Sequence, residues 1–305
     1  TDGKLMHLTR KFLSLAVVLL WNTASFAVDD AELRKQGEYV FRLAGCMGCH
    51  TDTKNKGALL AGGLSFDTPF GKFYSPNITP DPVHGIGKWT EADFIKALRE
   101  GVSPDGKQYY PVFPYTAYSQ MQLGDVKALW AYLRTIPAVA QPTKEHELSW
   151  YVFRFSNRGW KMLYFTSKEW ENVAGKSAAW NRGAYIANAL AHCGECHTPR
   201  NMFGALKKSQ PYAGNLAGPE GAKVPNITPD VETGIGGWKK DELLAFFSEG
   251  ATPEGDYTGG LMAEVVDNSL KYLSKEDAEA LVSYLLEVPA ISNVIKSKEK
   301  KSRSD

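Results

Sequence analysis

Cysteine is scarce in this chain of 305 residues: there are four, and none lies outside two five-residue stretches. An excess of one charge is missing too, since 35 lysines and arginines face 34 aspartates and glutamates. That balance excludes the global basic field of a nucleic-acid-binding protein. Long apolar runs are absent. The one near the N-terminus, residues 12–21, falls well short of the roughly 20 residues a membrane-spanning helix needs. No stretch shows the convincing period-2 alternation of a half-buried strand, and the segments between helical signals are rich in Gly, Pro and Asn.

Lys4, Arg10 and Lys11 precede that N-terminal apolar run, and Ser25 and Ala27 suit the −3 and −1 positions of a cleavage site. Residues 1–27 are therefore expected to be a secretory signal peptide, with a periplasmic mature protein; an uncleaved anchor is the alternative. Removing three of the basic residues and one acid with that segment leaves 32 basic against 33 acidic residues, still near neutrality. Residues 291–305 are expected to form a basic, flexible tail, solvated at its end, with peripheral contact to anionic lipid or a partner as the alternative.

All four cysteines fall in Cys46-Met47-Gly48-Cys49-His50 and Cys193-Gly194-Glu195-Cys196-His197. In Cys-x-x-Cys-His each sulfur can form a thioether to a porphyrin vinyl group, and the histidine is placed to coordinate the iron. A zinc ribbon would pair its knuckles within about 20 residues, whereas these begin 147 positions apart. A thioredoxin-like pair would not require histidine after both copies. The reading is two covalently bound haem c groups, attached at Cys46 and Cys49 and at Cys193 and Cys196, with His50 and His197 as iron ligands.

A longer repeat surrounds the motifs. Pro76-Asn77-Ile78-Thr79-Pro80-Asp81 recurs at Pro225, Gly85-Ile86-Gly87 at Gly234, and Glu100-Gly101 at Glu249, all offset by 149. Two homologous modules follow, each long enough for its own core. Helices are expected over 34–44, from the Thr90 cap with Asp93 to Gly101, over 125–133, 180–191 and 241–248, and from Ser274 with Asp277 through Leu285. The expected fold is all-α: two tandem class I-like cytochrome c domains, 28–140 and 179–290, with long haem-wrapping loops. They are joined by a connector, 141–178, dense in Trp, Tyr and Phe. It is expected to pack across both modules, with a partner-binding face as the alternative.

Function turns on the second axial ligand, because an iron with two strong ligands moves electrons while an open one does chemistry. Of six methionines, Met6 lies in the signal, Met47 inside a motif, Met162 in the connector, and Met202 five residues after His197. Met121 and Met262 remain, 71 and 65 residues after His50 and His197, each expected on a loop before the final helix of its module. The expected iron ligands are therefore His50 with Met121 and His197 with Met262. His84 and His146 are expected to be surface or packing residues, and so is His192 unless it tunes the second haem through a hydrogen bond. Arg200, Asn77, Asn226, Trp89 and Trp238 are possible propionate donors.

The runs Ser75-Pro-Asn-Ile-Thr-Pro-Asp81, Pro111-Val-Phe-Pro-Tyr-Thr-Ala-Tyr118, His192-Cys-Gly-Glu-Cys-His197 and Met262-Ala-Glu-Val-Val266 resemble the cytochrome c subunits of membrane-associated alcohol, aldehyde and gluconate dehydrogenases. The resemblance covers about residues 34–289. It implies His/Met haems, a quinone- or flavin-dependent dehydrogenase as donor, and a quinone, another cytochrome or a terminal oxidase as acceptor. Many such subunits carry three haem modules; two are present here. The competing reading is a dihaem enzyme reacting at one haem, as peroxidases and thiosulfate dehydrogenases do. The latter use a distal cysteine, and no fifth cysteine exists.

Overall fold

The computed structural model describes residues 30–295; the expected signal segment and residues 296–305 of the basic tail lie outside them. In the first half, α1 covers 30–43 and α2 Cys46–His50. There follow strands β1, Ser65–Thr68, and β2, Gly71–Tyr74, then α3 Glu91–Glu100, α4 Tyr115–Tyr118 and α5 Leu123–Leu133. Strand β3, Glu147–Leu148, and α6, Ser156–Tyr164, belong to the connector. The second half holds α7 Ala178–Tyr185, α8 Gly194–His197, α9 Lys240–Glu249, α10 Gly260–Asn268 and α11 Lys275–Leu285.

Gly37 shows why α1 packs where it does. A Cβ there would stand 2.0 Å from the Ala128 carbonyl oxygen and 2.7 Å from Tyr132 Cβ, so α1 and α5 cross backbone to backbone. Gly183 repeats the crossing between α7 and α11, where a Cβ would meet the Ala280 oxygen at 2.0 Å and Tyr284 Cβ at 2.8 Å. Large side chains fill the space around both crossings, among them Phe41, Leu129 and Leu133 in one half and Ile186, Leu190 and Leu281 in the other. They form one continuous core.

The expected helix ends are found. Thr90 and Asp93 exchange side-chain and backbone bonds at the start of α3 (3.1 and 2.9 Å), and Gly101 ends it at φ 62°. Ser274 accepts from the Asp277 amide at 3.1 Å to start α11. The helix expected over 180–191 differs: α7 runs into a π-helical segment, Ile186–Leu190. The Ala191 amide reaches back five residues to the Ile186 carbonyl, whereas Ala44 in the first half reaches back four, to Val40. Gly37 and Gly183 are 146 positions apart, and Cys46 and Cys193 are 147 apart. The wider turn absorbs the extra residue.

The helical class is as expected, with one small sheet added. The structure is mostly helical but includes a three-stranded antiparallel sheet, β1-β2-β3, with Ser65 opposite Tyr74 and Lys72 opposite Glu147. Four-residue strands are too short to show a period, and β3 comes from the connector. Gly71 makes the pairing possible: at φ 119°, a Cβ would stand 2.5 Å from the Glu147 oxygen.

The connector meets both halves. Lys161 Nζ donates to the Gly101 oxygen at 2.8 Å and Gln108 Oε1 at 2.7 Å, capping the end of α3, while Trp160 Nε1 donates to the Phe203 oxygen at 2.9 Å. Its other side is open: Trp150, Phe153, Phe155, Met162 and Leu163 are exposed. Trp160 and Phe165 are half-buried, whereas the outer set faces solvent. The inner positions are occupied in part by polar groups with backbone partners.

Candidate functional site

Each Cys-x-x-Cys-His stretch forms one helical turn entered through a left-handed residue, Gly45 at φ 65° and His192 at φ 40°. The decisive contact is made by the histidine. His50 Nδ1 lies 2.8 Å from the Pro76 carbonyl oxygen and His197 Nδ1 2.9 Å from that of Pro225. A carbonyl only accepts, so Nδ1 carries the proton and Nε2 presents its lone pair. Burial pulls both imidazoles below the usual histidine range, only partly offset by these bonds. The neutral form of each ring is the one that ligates metal.

The repeated Pro-Asn-Ile-Thr segment is what aims the carbonyl. Buried Asn77 uses both amide protons, on the Val139 and Gln141 oxygens at 2.7 and 2.9 Å, and its oxygen accepts from the Thr79 amide and hydroxyl. Asn226 does the same with Ile291 at 2.7 Å, Thr233 at 2.9 Å, and Thr228. The chain between histidine and proline is wrapped alike in both halves. Gly62 and Gly214 donate to the His50 and His197 oxygens at 2.8 and 2.7 Å. Buried Leu60 and Tyr212 hold φ near 60°. A left-handed conformation in a buried non-glycine residue costs on the order of 1–3 kcal/mol, and its recurrence at matched places marks a site.

The thiols bear on the competing chemistries. Burial pushes Cys46 and Cys193 up to about 12. Such thiols are not thiolate nucleophiles at neutral pH, which speaks against a thioredoxin-like pair. No group of three or more His, Cys, Asp or Glu among the described residues is placed to hold a metal ion.

Met121 is fully buried in the turn between α4 and α5. Met262 is half-buried in the first turn of α10, not on a loop as expected; Gly259 and Gly260 start the helix two residues before it. α10 packs against α2, and α4 packs against the π segment leading to the second motif, so both methionine-bearing stretches lie along the seam between the halves.

Other expected contributors have different partners. Asn77 and Asn226 hold the loops just described, and Arg200 donates to the Gly204 oxygen and the Glu195 side chain; their donors are already engaged within the protein. Trp89 and Trp238 pack on the core. His146 accepts from the Tyr74 amide at 3.2 Å and packs on Phe73. His192 faces the first half rather than its own motif: Nε2 lies 3.3 Å from Tyr118 Oη and 3.4 Å from the Ala44 oxygen, which Tyr118 also holds at 2.7 Å. Glu195, inside the second motif, accepts from Thr116 at 2.7 Å. The Pro76 and Pro225 carbonyls escaped the sequence reading, although the repeat at 149 pointed at their loops.

Two cysteines and an imidazole with Nε2 free are the attachment sulfurs and one iron ligand of a covalently bound haem c, and these residues fit that group. No family model matches the chain. It is 42% identical to a diheme c-type cytochrome of Cereibacter sphaeroides, over 84% of this chain and 86% of that protein. It is 41% identical to the fructose dehydrogenase cytochrome subunit of Gluconobacter japonicus, over 84% of this chain and 52% of the relative. With the cytochrome c subunit of the quinone alcohol dehydrogenase of Gluconobacter oxydans it shares 38% identity over 88% of this chain and 57% of the relative. The chain thus spans little more than half the length of these two dehydrogenase subunits. The chain belongs to the family of dihaem c-type cytochromes and cytochrome c subunits of dehydrogenases.

Proposed function

We propose that the protein is a periplasmic carrier that passes electrons from a quinone- or flavin-dependent dehydrogenase to a quinone, another cytochrome or a terminal oxidase. Its plan is two tandem class I-like cytochrome c domains, 28–140 and 179–290, joined by the connector 141–178. Cys46, Cys49, His50 and Met121 would hold one haem c, and Cys193, Cys196, His197 and Met262 the other. Haem c would supply a one-electron iron couple, and a thioether ligand would favour its reduced state.

The observation that carries this reading is the pair of histidine locks, His50 on Pro76 and His197 on Pro225. Each fixes the tautomer and ring direction, leaving Nε2 as the nitrogen available to a metal. The likeness to a diheme c-type cytochrome and to dehydrogenase cytochrome subunits supports transfer over peroxidase-like chemistry.

The test is a redox titration of the purified holoprotein with its mass and oxidised spectrum. Two covalent haems, a low-spin spectrum and the weak sulfur-to-iron charge-transfer band at its red end are expected. A single haem, or a high-spin site, would sink the proposal.

A further inference from the structure

The chain leaves α1 for the first motif through Leu43 and Ala44, both buried. Carbonyls at a helix C-terminus have no donor within the helix, so when buried they need one from elsewhere. Ser269 of the second half donates its hydroxyl to the Leu43 oxygen at 3.1 Å. The Ala44 oxygen takes the Tyr118 phenol at 2.7 Å and lies 3.4 Å from Nε2 of His192. A carbonyl only accepts, so Nε2 carries the proton. The same nitrogen is 3.3 Å from the phenol oxygen, and the two rings meet edge to face with centroids 5.4 Å apart. His192 thus reaches the first site from two directions. Through Ala44 it holds the chain two residues before Cys46, and through Tyr118 it holds the stretch that carries Met121 three residues on.

The backbone under that ring is strained. His192 sits at φ 40° where the first copy has Gly45 at φ 65°. Such a conformation persists in a non-glycine residue where the surroundings over-determine it. The two positions face each other, since a Cβ on Gly45 would stand 4.0 Å from His192 Nε2. Gly45 has no side chain to return the contact, so the tie runs one way, from the second motif to the first.

We propose that His192, the residue before Cys193, is a positioning residue of the first haem site rather than of its own. Its ring fills the seam beside the entry to Cys46, and its N–H holds Ala44 and Tyr118 together there. Water beside a haem stabilises the charged, oxidised iron, whereas a dry and hydrogen-bonded surround raises the potential. Loss of the ring should therefore lower the potential of the first haem, although the residue belongs to the second motif. The inference rests on the reading of two covalent haems. The mass and haem count of the holoprotein test that reading, and variants of His192 test this one.

The experiment compares the holoproteins of wild type, His192→Gly and His192→Gln by redox titration. Each midpoint is assigned by NMR contacts from its haem to the Cys46–His50 or the Cys193–His197 turn. Glycine keeps the left-handed backbone and removes the ring; glutamine returns an N–H close to the place of Nε2. The glycine variant should show a lower midpoint for the first haem and a nearly unchanged second, and glutamine should restore the first. Hydrogen exchange of residues 42–50 gives a second readout that needs no electron transfer. It should quicken about fivefold in the glycine variant, the worth of one hydrogen bond, and slow again with glutamine. A glycine variant that moves the second midpoint alone, both alike, or neither overturns the inference. So does a glutamine variant that behaves as the glycine one does, since the N–H bond would then not be what holds the first site.

Discussion

The phenol of Tyr39, in the first half, donates to Oδ2 of Asp277, in the second, at 2.6 Å and accepts from the Ser274 amide at 3.2 Å. Tyr185 returns the contact: it donates to Asp125 at 2.5 Å and accepts from the Gln122 amide at 3.0 Å. Each tyrosine thus completes the N-terminal cap of the other half's last helix. Each aspartate also holds a side chain of its own half, Gln36 at 2.7 Å on Asp125 and Arg182 at 2.6 Å on Asp277. Burial, reinforced by Asp277, pushes the Tyr39 phenol up to about 12.

Tyr39→Phe and Tyr185→Phe should each lower unfolding free energy by about 1.5–3 kcal/mol, the usual worth of a hydrogen bond to a charged acceptor. Denaturant titration should show a lower midpoint with unchanged slope. Midpoints equal to wild type would mean that the apolar core alone holds the halves together.

Met121→Ala and Met262→Ala should each lower one midpoint potential in a redox titration and leave the other nearly unchanged. Replacing fully buried Met121 should also cost about 2–5 kcal/mol through the cavity it leaves. If neither potential moved, the thioether assignments would fail.

Asn77→Ala and Asn226→Ala release the loops that aim Pro76 and Pro225 at the histidines. Each leaves several buried backbone groups without partners, and a loss of about 2–4 kcal/mol in thermal or chemical unfolding is expected. The holoprotein spectrum should broaden for the haem of the altered half only. Equal broadening of both would point to a global effect instead.

His192 stands where the first half has glycine, at φ 40°. His192→Gly should therefore be more stable than His192→Ala by about 1 kcal/mol, although both lose the contact with Ala44 and Tyr118. Chemical unfolding of the pair reads this directly. Equal stability would mean that the backbone relaxes out of the left-handed region once the ring is gone.

Local chemistry made much of the fold legible. Thr90 with Asp93, Gly101, and Ser274 with Asp277 announce helix ends through residues a few positions apart, and the two motifs announce their own attachment chemistry. The histidine locks were not legible, because a backbone carbonyl has no side-chain signature and lies 26 or 28 residues away. β3 was missed for a similar reason: two residues gain a strand only by meeting Gly71. The outward face of α6 was hidden because composition reports apolar residues, whereas burial depends on which neighbours claim each side of the helix. Here Lys161 and Asn157 have the inner acceptors. Gly259-Gly260 reads as a loop in sequence, yet the pair opens α10 and carries Met262 into its first turn.

The π-helical turn at Ile186–Leu190 has a consequence for the history of the chain. Between its crossing glycine and its motif the second copy is one residue longer than the first, and the π-helical turn takes up the difference. On one side of it Gly183 still meets α11; on the other, His197 still meets Pro225. The helix acts as a tolerance joint, where a change in length is confined to one turn while the fitted surfaces on either side keep their register. A one-residue deletion there should restore an ordinary α-helix, making this a place where the two copies could be brought back to equal length.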